Sequence, residues 1–76
     1  MTTARNPVKR NKIVSSKWTA RQPVDRQKHF IVLDWVLGDD GTPTEMIEIE
    51  AVLTRHVRTV PWRELGSLEI WRTGWR

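Results

Sequence analysis

Three Trp-Arg dipeptides, Trp62-Arg63, Trp71-Arg72 and Trp75-Arg76, are the residues of this chain best suited to recognition chemistry. A guanidinium binds phosphate bidentately and stacks on flat rings. An exposed indole stacks on a nucleobase for about 1–3 kcal/mol. Cations interleaved with aromatics are what recognition of single-stranded or loop RNA requires. A second cationic group lies upstream: Arg5, Lys9, Arg10, Lys12 and Lys17, with no acid among the first 17 residues. Such a run binds polyanions by counterion release, without sequence selectivity. A plain structural alternative stands beside this. In a small domain Trp is usually core, and a neighbouring Arg keeps the rim soluble by lying over the ring. A basic run can equally be a solubilising arm.

Catalysis finds little support. The chain has no Cys nucleophile, Gly-rich phosphate loop, HExxH or GxSxG. Ser15, Ser16 and Ser67 have no His beside them in sequence. Glu48 and Glu50 point the same way on a strand, but charged residues of this kind usually form a solvated face. His29 and His56, with Glu50 or Asp34, match no structural zinc spacing. The residues therefore point to a non-enzymatic protein with no cofactor and no metal.

The elements that must position these side chains belong to one small domain, since 76 residues allow no more. A chain this short buries only about 60% of its unfolded surface and is marginally stable. With no Cys, disulfides are excluded, and five Trp are the remaining staple. Trp18, Trp35 and Trp62 are expected in the core. Trp71 and Trp75, near the end of the chain, could belong to either fold or function. The net charge of +4 is distributed in blocks: +5 over 1–17, +2 over 18–33, −6 over 34–50 and +3 over 51–76. The acidic middle would repel a polyanion. It offers the alternative partner, a basic protein docking on Asp39, Asp40, Glu45, Glu48 and Glu50, with exposed Trp as anchors.

Along the chain, residues 1–16 lack periodicity and apolar surface and read as a flexible basic tail, with Ile13 and Val14 able to dock at its end. Residues 17–76 read as a single Trp-rich β domain. Residues 16–20 are a short extended piece that Pro23 ends, and 24–28 a polar connection. His29 to Leu37 is the strongest strand. Phe30, Val32, Asp34 and Val36 lie on one face and His29, Ile31, Leu33, Trp35 and Leu37 on the other. Both faces are mostly apolar, so the strand is expected to be central and covered on both sides. Gly38–Pro43 is a turn. A second strand follows over 44–54, with Ile47, Ile49, Ala51 and Leu53 inward. Residues 55–60 continue as a bent or third strand offering Val57 and Val60 to the core. Pro61 starts a helical turn through Leu65 that Gly66 ends. Ser67 can cap another turn, and Gly74 permits a bend. The fold class is mainly β: a small bent antiparallel sheet, or a partly open SH3-like barrel, with one or two short helical turns near the C-terminus.

Five segments in register complete the reading: Ser16–Ala20, Lys28-His29-Phe30, Glu50–Arg55, Trp62–Leu65 and Trp71-x-x-Gly74-Trp75. Together, from about residue 11 onward, they resemble the small tryptophan-rich conserved bacterial proteins of unknown function. The resemblance implies a bacterial-type, stand-alone small protein and carries no activity, cofactor or catalytic residue with it. The basic N-terminus has no apolar run behind it, unlike a secretory signal, and no stretch reaches the roughly 18 apolar residues of a membrane span. A cytoplasmic protein is expected, with RNA or the ribosome as partner. The expected contact residues are Arg5, Lys9, Arg10, Lys12, Lys17, Arg63, Trp71, Arg72, Trp75 and Arg76.

Overall fold

The computed structural model describes residues 5–76. Its β-branched and aromatic runs form five strands: β1 (Lys17–Val24), β2 (Gln27–Leu37), β3 (Pro43–Ala51), β4 (Val57–Pro61) and β5 (Trp71–Thr73). They make one antiparallel sheet in the order β4-β3-β2-β1-β5, an open sheet whose two edges do not pair. Two 3-10 turns, Arg10–Lys12 and Trp62–Gly66, complete the fold. Among the described residues no helix is long and apolar enough to cross a membrane.

Turn chemistry explains where the strands stop. Asp25 and Arg26 both take positive φ, 54° and 64°. Two such residues in succession give the tight hairpin whose twist matches that of the flanking strands. The first strand therefore runs through Pro23 instead of ending there. Pro23 falls in the irregular register between Thr19 and Val24, where a missing N–H breaks no regular ladder. The β2–β3 turn closes with Gly38 N donating to the Thr42 carbonyl at 2.8 Å, and Gly41 supplies φ of +80°. Asp40 Oδ1 accepts from Thr42 Oγ1 at 2.7 Å and Thr42 N at 3.1 Å. These bonds, the hydroxyl's first, hold the Asp40 carboxyl below its ordinary pKa.

A bulge corrects the expected facing of β2. Phe30, Val32 and Trp35 pair with Ala51, Ile49 and Ile47, but the register slips between Val32 and Asp34. The extra residue, Leu33, puts Trp35 on the same face as Phe30 and Val32, instead of beside Ile31 and Leu33. β2 is the central strand, yet only one of its faces is covered: Leu33 is 40% exposed. β3 ends at Ala51, earlier than the expected 54, because a turn follows with Arg55 at φ 63°. Leu53, expected inward, is therefore exposed. On β4, Val60 is buried and Val57, on the opposite face, is not.

One face of the sheet carries the core, made of Trp18, Phe30, Val32, Ile47, Ile49, Ala51, Val60 and Trp71 and roofed by Ile13 and Leu65. The N-terminal segment supplies Ile13, with Val8 packed alongside. The sequence reads residues 1–16 as a tail apart from the domain; its described part, 5–16, is instead docked. Asn6 is buried, donating through Nδ2 to the Leu65 and Trp71 carbonyls at 2.9 Å each, while its N–H donates to Gly66 O at 3.0 Å. Ser15 N and Ser16 O bond to the Val32 backbone, extending the sheet. A single buried amide and two apolar side chains thus dock a segment whose composition shows little reason to order.

Candidate nucleic-acid interface

The docked N-terminal segment faces the Trp62–Gly66 turn, and the two together gather cations. Arg10 Cζ lies 4.6 Å from the Trp35 ring centre and 5.2 Å from that of Trp62. Arg63 Cζ lies 5.3 Å from the Trp62 ring centre. The two indoles lie 6.1 Å apart at a 60° tilt. Glu45, on the same face at the start of β3, takes a 2.8 Å bond from Arg10 Nη1 and lies 3.5 Å from Arg63 Nε. The Arg10 hydrogen bond is the main cause that lowers the Glu45 pKa, against a smaller opposing effect of desolvation. The Trp62 indole N–H is buried with no acceptor in hydrogen-bonding geometry.

Arg5 completes the cluster. Its Nη2 donates to the Arg63 carbonyl at 3.2 Å. It lies directly over Gly66, where a Cβ would collide with the guanidinium, 3.1 Å from Cζ. Between these residues opens a cleft of about 380 Å³, lined by Arg5, Asn6, Val8, Trp62, Arg63 and Gly66. No carboxylate lines it. Val8 also lines an adjoining hollow of about 300 Å³, at whose rim stand Lys9 and Lys12. Five of the expected contact residues, Arg5, Lys9, Arg10, Lys12 and Arg63, therefore share one face.

The other five do not join them. Trp71 is fully buried, packed edge-on to Phe30 at 5.1 Å, with Nε1 donating to Glu64 Oε2 at 3.1 Å. It has no ring face to offer a base. Arg72, the next residue along β5, points to the opposite face of the sheet, across from Thr19. Trp75 is 43% exposed and anchored by Nε1 donating to the Phe30 carbonyl at 3.0 Å. Lys17 Nζ sits 4.7 Å from its ring centre and the His29 ring 5.9 Å away. Arg76 N donates to Thr19 Oγ1 at 2.9 Å. Lys17, Arg72, Trp75 and Arg76 thus form a separate basic corner on the uncovered face. Strand alternation is the reason: neighbours such as Trp71 and Arg72 must face opposite ways.

Over residues 16–76 the chain matches the family described as Tryptophan-rich protein (DUF2389). The chain belongs to this tryptophan-rich family. No curated protein and no solved structure matches the chain. The family match covers every strand and the Trp62–Gly66 turn. It stops short of the docked segment, so Arg5, Lys9, Arg10 and Lys12 stand outside it.

Two members of the cleft escape a reading by residue type. Trp62 is half-buried at the cleft wall, not in the centre of the core, because the turn that carries it lies on the sheet's rim. Gly66 reads as a helix terminator, and its second use, admitting Arg5, depends on a segment 58 or more residues away. The acidic set is divided as well. Glu45 is engaged by Arg10 and Arg63, Asp39 and Asp40 are exposed at the hairpin tip, and Glu48 and Glu50 lie on the uncovered face. Among the described residues no three His, Cys, Asp or Glu come together as metal ligands.

Proposed function

We propose that this is a non-enzymatic, nucleic-acid-associated accessory protein that binds RNA, free or on the ribosome, in the cleft between Arg5 and Arg63. The observation that carries this reading is the cleft walled by two guanidiniums and an indole, with no carboxylate in its lining and Glu45 reaching only the Arg63 Nε from beside it, at 3.5 Å. Phosphate oxygens suit Arg5 and Arg63, whose planar forks match them bidentately. The Trp62 edge supplies apolar contact for a base or ribose. Arg10 is held in place by Trp35, Trp62 and Glu45, so less side-chain entropy is lost when a phosphate arrives. Lys9 and Lys12 extend the positive field along the strand's path.

The test is filter binding of a single-stranded RNA oligonucleotide at two salt concentrations. Binding that weakens as salt rises, and that drops in Arg5→Ala/Arg63→Ala, supports the reading. Binding unaffected by salt or by that double variant contradicts it. Removing residues 1–12 is not a usable probe, because it also removes the Asn6 hydrogen bonds and the Val8 packing.

A further inference from the structure

The molecule measures 38 × 36 × 17 Å, so it is thin. Layers pack roughly 10 Å apart. This thickness holds the sheet and its one roof; the other face is covered only at one corner, where Gly74 and Arg76 bond to Thr19 and Trp75 to the Phe30 carbonyl. An antiparallel sheet can face water on one side, but such a face is normally polar. Here apolar side chains stand among the charges on it. Ile31 of β2 stands between Lys17 on β1 and Glu50 on β3, and Val57 follows on β4. The bulged Leu33 and the Trp75 indole add apolar surface to this face, at 40% and 43% exposure.

Charge is segregated across the face, acids on β2 and β3 and bases toward the β1–β5 edge. Asp34 and Glu48 face each other across β2 and β3, with Glu50 next along. Like charges directly opposite are destabilising in an isolated sheet. Among the described residues, only Arg55 pairs with any of the three, at 3.8 Å from Glu50. At the diagonal corner stand Lys17, Arg72 and Arg76, around Trp75. Acids and bases thus occupy opposite sides of Ile31 on one face.

We propose that two copies of this chain pack through these faces as a twofold dimer. A twofold axis lying in the interface near Ile31, at right angles to the line from acidic to basic corner, sets each copy's Asp34–Glu48–Glu50 over the other's Lys17–Arg72–Arg76. Twofold interfaces use the same patch on both copies, which must therefore be self-complementary. Ile31, Leu33 and Val57 are buried between the sheets, and Trp75 is the anchor at each end. Five strands at about 4.8 Å spacing make a face on the order of 20 Å wide. The dimer is expected to depend on concentration and, through its facing charges, on salt. The Arg5–Arg63 cleft lies on the opposite face and stays open, so the dimer stands or falls apart from RNA binding.

Sedimentation equilibrium of the full chain tests this over a wide concentration range. Wild type is expected to dimerise, more weakly as salt rises. Glu48→Lys/Glu50→Lys alone and Lys17→Glu/Arg72→Glu alone are each expected to be monomeric, because like charges then oppose. An equal mixture of the two is expected to dimerise, since each altered corner meets its complement. The mixture also shows that both variants are folded. A monomeric wild type overturns the proposal, as do charge-reversed variants that still self-associate. So does a monomeric mixture of variants that each keep a cooperative unfolding transition. If a reversal abolishes that transition, Glu48→Gln and Arg72→Gln replace it. Each is expected to weaken association severalfold, and unchanged association in both overturns the proposal.

Discussion

Trp71 and Trp75 lie four residues apart and carry the same adjacent Arg, yet they do opposite things. Trp71 fills the core against Phe30, while Trp75 lies over Lys17 on the uncovered face. Sequence spacing cannot separate them, because Gly74 turns the chain between them with φ of +74°. Truncating a buried large aromatic costs about 3–5 kcal/mol, against about 5–15 kcal/mol of total stability for an ordinary domain. Trp71→Ala is therefore expected to abolish or nearly abolish folding in urea denaturation, whereas Trp75→Ala leaves a cooperative transition. Gly66 supports a second expectation. A methyl there displaces the end of a flexible Arg5 side chain, not the backbone. Gly66→Ala is expected to weaken RNA binding in a filter assay, with the urea midpoint changed little. That the Trp-Arg pairs mark a surface is legible in the sequence; which pair does so is not, because strand alternation and one bend decide it.

At the scale of elements, the two central strands and the turn between them are legible because alternation and Asp-Gly chemistry are local signals. The facing of Trp35 is not, since one bulged residue reverses it and no residue type announces a bulge at Leu33. The docking of residues 5–16 is hidden for a different reason. Its main tie is Asn6, whose acceptors lie 59 and 65 positions away. Asn6→Ala removes a buried donor from both carbonyls and is expected to cost about 1–3 kcal/mol, read as a fall in the urea midpoint. The Arg10–Glu45 tie adds a pH dependence. The Glu45 pKa in the fold is lowered from its ordinary 4.5, so its contribution to stability is complete above that value. It is lost as pH falls through the lower, folded value. The Tm difference between wild type and Glu45→Gln is expected to be largest near neutral pH and to shrink below pH 4.5. Both partners are substantially exposed, so the effect is small.

At the scale of the whole molecule, block charge in the sequence becomes a charge distribution over two faces. The +5 of the first 17 residues is shared between the roof side, where Arg5 lines a cleft with Arg63 and Lys9, Arg10 and Lys12 stand nearby, and the uncovered face, where Lys17 lies against Trp75. The −6 of residues 34–50 is divided likewise, with Glu45 held in the cation cluster and Glu48 and Glu50 left on the bare sheet. No linear reading of charge shows this, because folding an antiparallel strand sends alternate residues to opposite sides. The division gives the molecule one face suited to a polyanion and another suited to its own copy. The salt dependence of RNA binding tests the first most directly. Each phosphate neutralised on a single strand adds about 0.7 to the slope of log K against log salt. Arg5→Ala/Arg63→Ala is expected to bind more weakly than wild type, with a slope shallower by roughly 1.4, two phosphate contacts' worth. Equal slopes and equal affinities for wild type and the double variant would contradict the Arg5–Arg63 cleft as the RNA site.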